Sequence, residues 1–530
     1  MSDVTFQTKK YPIIGLNTTD ADITFGDLGD FNGDSYGDFY VLSIRTVWEP
    51  SYAHLLYPFV IYGDKDGYPE GLNFSNLGKG GFLIDASFMD YVSLQSLGDV
   101  NGDGIKDLGI LARTGRDENW VLYGNPKGYT GTISLSENEK TGVYLGSNAE
   151  LSTTADFNGD GINDFFMQGL GRPYAPYKEY EFTLMTYVVF GTKEPRESFD
   201  VMDINSSNGV IINVVNGTRA TSAELYLQAV YANGDGFMDM FISDYNNGNG
   251  IIDVVYGKKS FSQLPFSVSE INGENGFVIN GNNQHAISSV SNLLDINGDG
   301  VDDFSIISNM RSYQNKESIV MFGNKHGFQL GFDINSLDGT NGFYINGGFG
   351  VFFGQCNGNV LSSILVNGLS PSSADIVFFG QNSWPSDISA DSLDGNPGIV
   401  ISDNLDPNEH CIAIGRAPMF GGVTPDLVYI NKDQNTFYAV GNSNSVFPST
   451  TKHTTTSTTT TPMHDPTTAH DSDGEGGTNV AVIAGATVGG GVAVLAVGAI
   501  LWYGLIHHGG LLGCHKGGHH YSELSQVEDF

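Results

Sequence analysis

The sequence predicts an all-β chain folded as a seven-bladed β-propeller, and three observations predict it. A nine-residue acidic phrase recurs along the chain at intervals of 57 to 75 residues. A short apolar run ending in glycine follows each copy. Each interval has room for four short strands, and seven such repeats make the blades of a closed propeller. Closure removes the sheet edges and apolar faces that an open array would leave exposed.

The phrase is clearest at Asp295-Ile296-Asn297-Gly298-Asp299-Gly300-Val301-Asp302-Asp303. Side-chain oxygens stand at its positions 1, 3, 5 and 9, and position 7 offers a backbone carbonyl. That set suits a hard cation of calcium size, which takes roughly six to eight oxygens in a flexible cage. Gly298 and Gly300 let the backbone bend around it. Position 12 is Ile306, where an EF-hand needs a bidentate glutamate, and the flanks read as strands, so this is not an EF-hand.

Three more copies are intact: Asp30, Asn32, Asp34 and Asp38; Asp99, Asn101, Asp103 and Asp107; Asp156, Asn158, Asp160 and Asp164. About four Ca2+ ions are therefore expected. A worn copy begins with Tyr231 and keeps Asn233, Asp235 and Asp239 as candidate ligands. Another, at 355–363, keeps Asn357 and Asn359 without a carboxylate, and the seventh is marked by Asp426 alone.

The strand after each loop's hairpin is the plainest of the four. It reads FVIYG at 59–63, WVLYG at 120–124, YVVFG at 187–191, DVVYG at 253–257, IVMFG at 319–323, IVFFG at 376–380 and FYAVG at 437–441. Such continuous apolar runs are buried strands. In the fifth repeat the other three strands are expected at Ala286–Leu294, Phe304–Ile307 and Gly342–Ile345. The seventh repeat stops after Gly441 without a fourth strand. Residues 11–15 precede the first loop with no repeat of their own, so they should complete the last blade, with Pro12 at a strand edge. The propeller is read as residues 11–447.

Residues 448–478 are crowded with threonine and read as an O-glycosylated stalk or a plain linker. Residues 480–506 contain no charge over 27 positions, enough for one membrane-spanning helix. Gly485 and Gly489, with Ala486 and Gly490, give that helix a smooth face for self-association. Asp471, Asp473 and Glu475 before it and Lys516 after it place the tail, 507–530, in the cytoplasm. The expectation is a single-pass type I protein of the cell membrane with its propeller extracellular. Residues 1–10 show no signal-peptide core, which counts against it. Tyr521 and Leu524 fit a tyrosine-based sorting signal, and Cys514 a palmitoylation site. Asn17, Asn73, Asn205 and Asn216 are glycosylation acceptors in sequence. Cys356 and Cys411 are candidates for a disulfide, with two buried free thiols the alternative.

A formal net charge of −36 repels polyanions and excludes nucleic acid as a natural partner. The four histidines of the repeat region, His54, His285, His326 and His410, fall in different repeats, so no catalytic constellation is expected.

The D-x-N-G-D-G-x-x-D loops at 99–107 and 156–164, with the strands ending Tyr/Phe-Gly, resemble the FG-GAP repeats of the integrin α-subunit head. Those repeats also occur in glycosylphosphatidylinositol-specific phospholipase D and in microbial surface proteins. The resemblance covers most of residues 11–445. It implies calcium in the loops of one propeller face and ligands or partner subunits on the opposite face. Integrin leg domains and the GFFKR signature have no counterpart here, which argues against pairing with an integrin β-subunit.

In a four-stranded meander the first-to-second loops share one face and the second-to-third loops the other. The latter are read at 45–56, 113–119, 170–186, 244–251 and 309–318. They carry Trp48, Arg172, Tyr174, Tyr177, Tyr180, Arg311 and Tyr313, residue types that anchor interfaces. The expected function is a calcium-stabilised adhesion or receptor protein that binds an extracellular or cell-surface protein. The alternative is a membrane-tethered carbohydrate-binding propeller, with aromatic rings stacking on sugars.

Overall fold

The computed structural model describes residues 6–442, except 17–20, 48–52, 69–70, 88, 114–116, 136–141, 146–148, 172–182, 194–197, 215–224, 245–248, 262–263, 283–285, 309–316, 355–360, 369–374, 394, 402–410, 418–425 and 432–435. Its regular structure is strand throughout, with two single-turn 3-10 helices at Val201–Asp203 and Val268–Glu270. The strands assort into seven sheets, each built on a meander of four. In the fifth repeat the order is Ile287–Leu294, Asp303–Ser308, Glu317–Met321 and Gly342–Asn346, every neighbour antiparallel.

Successive first strands stand side by side. Ala21–Gly29 packs on Tyr91–Gly98, which packs on Glu150–Ala155, and the series continues through Tyr226–Val230, Ile287–Leu294 and Gly348–Gly354. The first strand of the last repeat, Cys411–Ala417, lies against Ala21–Gly29 and brings the two ends of the series together. Such packing buries both faces of the fourth and fifth sheets at their second strands, where Asp239–Asp244 and Asp303–Ser308 are buried at every position. Between the fourth and fifth sheets Phe241 meets Phe304 edge-on at 4.8 Å, and Phe277 stacks on Phe328 at 4.3 Å. Truncating one such ring, as in Phe304→Ala, costs about 3–5 kcal/mol through lost burial and the cavity left behind.

The N-terminal strand, Phe6–Ile14, pairs antiparallel with Thr436–Asn442, Phe6 opposite Asn442 and Pro12 opposite Thr436. It starts five residues ahead of the position read from the sequence, because Phe6 to Lys10 continue the ladder although their mixed polarity gives no apolar run. The second-to-third connections are also shorter than read. Arg45 pairs with Leu55 and Val47 with Ala53; Arg113 pairs with Asp117, Gly171 with Thr183, Asp244 with Ile251 and Ser308 with Glu317. Polar residues such as Arg45 and Thr46 look like loop, but a strand position facing outward accepts them without cost to the ladder.

A further element has no obvious sequence signal. A two- to four-residue strap from the following repeat pairs in parallel with the outer edge of a fourth strand. Gly131–Ser134 pairs with Gly81–Asp85, Phe266–Ser267 with Gly209–Asn213, Gly331–Phe332 with Gly276–Asn280, and Asp387–Ser389 with Gly342–Asn346. Leu72–Asn73 does the same for the N-terminal strand, and Ser198 bridges to Tyr144.

Candidate cation loops

The second loop shows how the phrase folds. Asp99 Oδ1 accepts the N–H groups of Gly102 (2.6 Å) and Asp103 (3.2 Å), and its Oδ2 accepts that of Gly104 (2.7 Å). Asn101 Oδ1 accepts the Asp103 N–H, and Asp103 Oδ1 accepts the Ile105 N–H. These are nested Asx turns, in which short side chains take over the work of backbone acceptors. Gly102 and Gly104 have φ of +70° and +88°, a region that L side chains rarely adopt. The loop from Asp156 repeats the same bonds, and that from Asp295 repeats all but the one from the position-5 N–H to position 1. In the first loop Asp30 accepts the N–H groups of Asp34 and Ser35, and Ser35 takes φ +73° where the others have glycine.

Position 9 does something different. Asp107 is fully buried; its Oδ2 accepts the N–H of Val100 at position 2 (2.8 Å), and its Oδ1 that of Gly124 after the third strand (2.8 Å). Asp38 joins Phe31 and Gly63 in the same way, Asp164 joins Phe157 and Gly191, Asp239 joins Ala232 and Gly257, and Asp303 joins Ile296 and Gly323. This carboxylate fastens the loop to the end of its own third strand. It also explains the glycine there. A Cβ on Gly63, Gly124, Gly191 or Gly257 would sit 2.3 Å from the carbonyl oxygen of position 8, too close for any side chain.

The first carbonyl of each of the five acidic loops reaches the next repeat, and in four of them the second does too. Asp30 O accepts the Lys106 N–H and Phe31 O that of Asn125; Asp99 O accepts Asn163 N–H; Tyr231 O and Ala232 O accept those of Asp302 and Asn324; Asp295 O and Ile296 O accept those of Ser362 and Gln381. The loops thus run around one face as a stitch from sheet to sheet, satisfying main-chain groups that burial would otherwise orphan.

Burial pushes the Asp38 and Asp107 carboxyls up to about 8, and those of Asp164, Asp239 and Asp303 well above the usual range. Two backbone donors oppose the rise in Asp38, while Asp34 and Asp30, both negative, add to it. A bound cation would relieve this combination of buried and crowded negative charge. The donor chemistry fits calcium: oxygens only, supplied by Asp30, Asn32, Asp34 and Asp38 and by their counterparts in the second, third and fifth loops. A carboxylate oxygen that accepts one N–H keeps a lone pair for a metal. Among the described residues, however, no three acidic, histidine or cysteine side chains are gathered tightly enough to form a metal cage. The carboxylate at position 1 is turned to its own loop's N–H groups.

The fourth loop keeps this shape without the first carboxylate. Asn233, Asp235 and Asp239 make the expected turn bonds, and Tyr231 stands where the other loops have their first aspartate, with Gly236 at position 6. The position-6 N–H goes to an Asp oxygen in the intact loops.

All seven residues expected to recognise a ligand, Trp48, Arg172, Tyr174, Tyr177, Tyr180, Arg311 and Tyr313, lie outside the described residues. So do Asn17, Asn216, Cys356, Tyr521, Leu524 and the stretch 448–530. Asn73 and Asn205 are exposed. Cys411 opens a strand, and nothing is described of its side chain. Among the described residues no helix is long and apolar enough to cross a membrane.

No known family matches this sequence, and no curated protein does either. Among solved structures the chain is similar to the Dos1 propeller at 10% identity and a TM-score of 0.35, over 82% of this chain and 95% of that one. It is also similar to the Bacillus licheniformis rhamnogalacturonan lyase PL11, at 11% identity and a TM-score of 0.27, over 82% of this chain and 89% of the other. Likenesses this loose carry no argument. The all-β architecture rests on the strand pairing described above, and the FG-GAP resemblance on its motifs.

Proposed function

We propose that the seven sheets are the blades of a closed propeller whose acidic loops bind calcium. Its opposite face binds a protein ligand as part of a cell-surface adhesion or receptor molecule. The stitch between sheets carries this reading. Five acidic loops are committed to one face by main-chain bonds to the next repeat, which leaves the second-to-third hairpin tips on the other face free to vary. Calcium, when bound, would neutralise the buried carboxylates at position 9 and stiffen that face. The stalk and the apolar stretch 480–506 would present the propeller outside the cell.

The test is attachment of cells or candidate ligands to the full chain. Joint replacement Tyr174→Ser and Tyr177→Ser should weaken attachment by about 2 kcal/mol or more and leave the response to calcium intact. Lys106→Ser, on the loop face, is the control. Attachment lost in the control and kept in the tyrosine pair would put recognition on the calcium face.

One observation favours the carbohydrate reading instead. A groove of about 1010 Å³ beside Asp299 is lined by Asn272, Asn324, Asp333 and Asn341, groups that hydrogen-bond hydroxyls, with Leu330 at its rim. Binding of the full chain on a glycan array, abolished by Asp333→Ala, would decide for a sugar ligand.

A further inference from the structure

The straps cover the outer edges of six of the seven fourth strands. The exception among the described residues is Gly398–Ile401 in the sixth sheet, which pairs with Asp375–Phe378 on one side and has no neighbour on the other. A bare strand edge presents unpaired N–H and C=O groups in a row and invites another chain. Each existing strap comes from the following repeat, after its third strand. For the sixth sheet that place in the chain is the segment after Thr436–Asn442.

Four of the six straps share a register, with an apolar strap residue facing the fourth residue of the covered strand; a fifth faces the last residue but one of the N-terminal strand. Ile133 is opposite Ile84, Phe266 opposite Ile212, Phe332 opposite Ile279, Ile388 opposite Ile345 and Leu72 opposite Ile13. Beside the Ser198 bridge, the Phe199 N–H donates to Tyr144 O. Leu72, Phe266 and Ile388 are buried there. The apolar residue comes eight or nine positions after the glycine that ends the third strand, as Phe332 does after Gly323 and Ile388 after Gly380.

Past Gly441 the chain holds one such candidate, the pair Val446-Phe447. No further aliphatic or aromatic residue follows until Met463. We propose that residues 446–449 form the missing strap, parallel to Gly398–Ile401 with Phe447 opposite Ile401. Phe447 comes six positions after its glycine, two or three fewer than in the other repeats. Six extended residues span up to about 20 Å, ample for the roughly 10 Å between packed sheets. The strap completes the ring of cross-links between neighbouring sheets. It also fixes the root of the threonine-rich segment at the rim of the sixth sheet, so that tension on that segment is borne first by a parallel ladder between the last two repeats.

Hydrogen–deuterium exchange on the full chain tests this. The amides of 398–401 should be protected as strongly as those of 342–346, independently of protein concentration. Phe447→Asp should abolish protection at 398–401 and leave 342–346, which reports that the protein is folded, unchanged. Phe447→Leu should retain it, and Thr456→Asp should have no effect. Fast exchange at 398–401 in the unaltered chain overturns the proposal, as does protection that survives Phe447→Asp. Protection that appears only as concentration rises assigns the edge to a second copy of the chain and overturns it equally.

Discussion

The fourth and fifth loops have the same hydrogen-bonded frame and different charge. In 295–303, Asp295 receives the N–H groups of Gly298 and Gly300; in 231–239 position 1 is Tyr231, which has no carboxylate to receive them. Both loops keep the buried aspartate that joins position 2 to the glycine after the third strand. Both give their first two carbonyls to the next repeat. The nine-residue phrase therefore combines two roles. The main chain at positions 1, 2 and 8, with the position-9 carboxylate that ties the loop to its own third strand, holds the frame, and the side chains at positions 1 and 5 set how much negative charge stands in front of it.

The largest expected effect separates these roles. Asp303→Ala leaves the buried N–H groups of Ile296 and Gly323 without acceptors, at about 1–3 kcal/mol each. Asp239→Ala should cost a similar amount although its loop lacks the first carboxylate. Denaturant unfolding in chelator measures both. A loss that Asp303→Ala shows in saturating calcium but not in chelator would mean that the residue acts through a cation alone.

Calcium comes next. At free calcium near 100 times the dissociation constant, one ion bound only by the folded state adds about 2.7 kcal/mol. Asp295→Tyr should remove one ion and Tyr231→Asp should add one, read by equilibrium dialysis and by the shift in melting temperature. If neither exchange alters the stoichiometry, the position-1 carboxylate is not a ligand.

The pH dependence follows from burial at position 9. Asp38 and Asp107 have folded-state values of about 8, against 3.8 for a free side chain. Their contribution to stability is fully present below the unfolded value and is lost as pH rises towards 8. In chelator the melting temperature should therefore fall between pH 4 and pH 8, and saturating calcium should flatten or reverse the slope, because metal and proton compete for the same oxygens. A rising slope in chelator would show that the backbone donors outweigh burial.

The smallest effect belongs to the exposed position 5. Asp299→Ala removes one turn bond to the Val301 N–H and should cost about 0.5–1.5 kcal/mol in chelator, well below Asp303→Ala in the same loop.

Repeats, strands and loop positions were legible in the sequence because they depend on short-range physics. Apolar runs such as IVMFG, glycine at positive φ and Asx turns act within about ten residues, so the sequence by itself determined an all-β chain of acidic-looped repeats. It also pointed to residues 11–15 as a strand without a repeat of its own, although not to the start at Phe6. What only the tertiary structure decided involves partners from a different strand or the next repeat. Asp107 meets Gly124 seventeen residues on, Asp30 O meets Lys106 in the next repeat, and Phe332 covers Ile279 across a parallel edge. Neither hydropathy period nor turn chemistry encodes which edge a two-residue strap will meet. The same aspartate reads as a metal ligand from its spacing and as a buried fastener from its surroundings, because spacing records which oxygens are present and only packing determines which N–H groups they face.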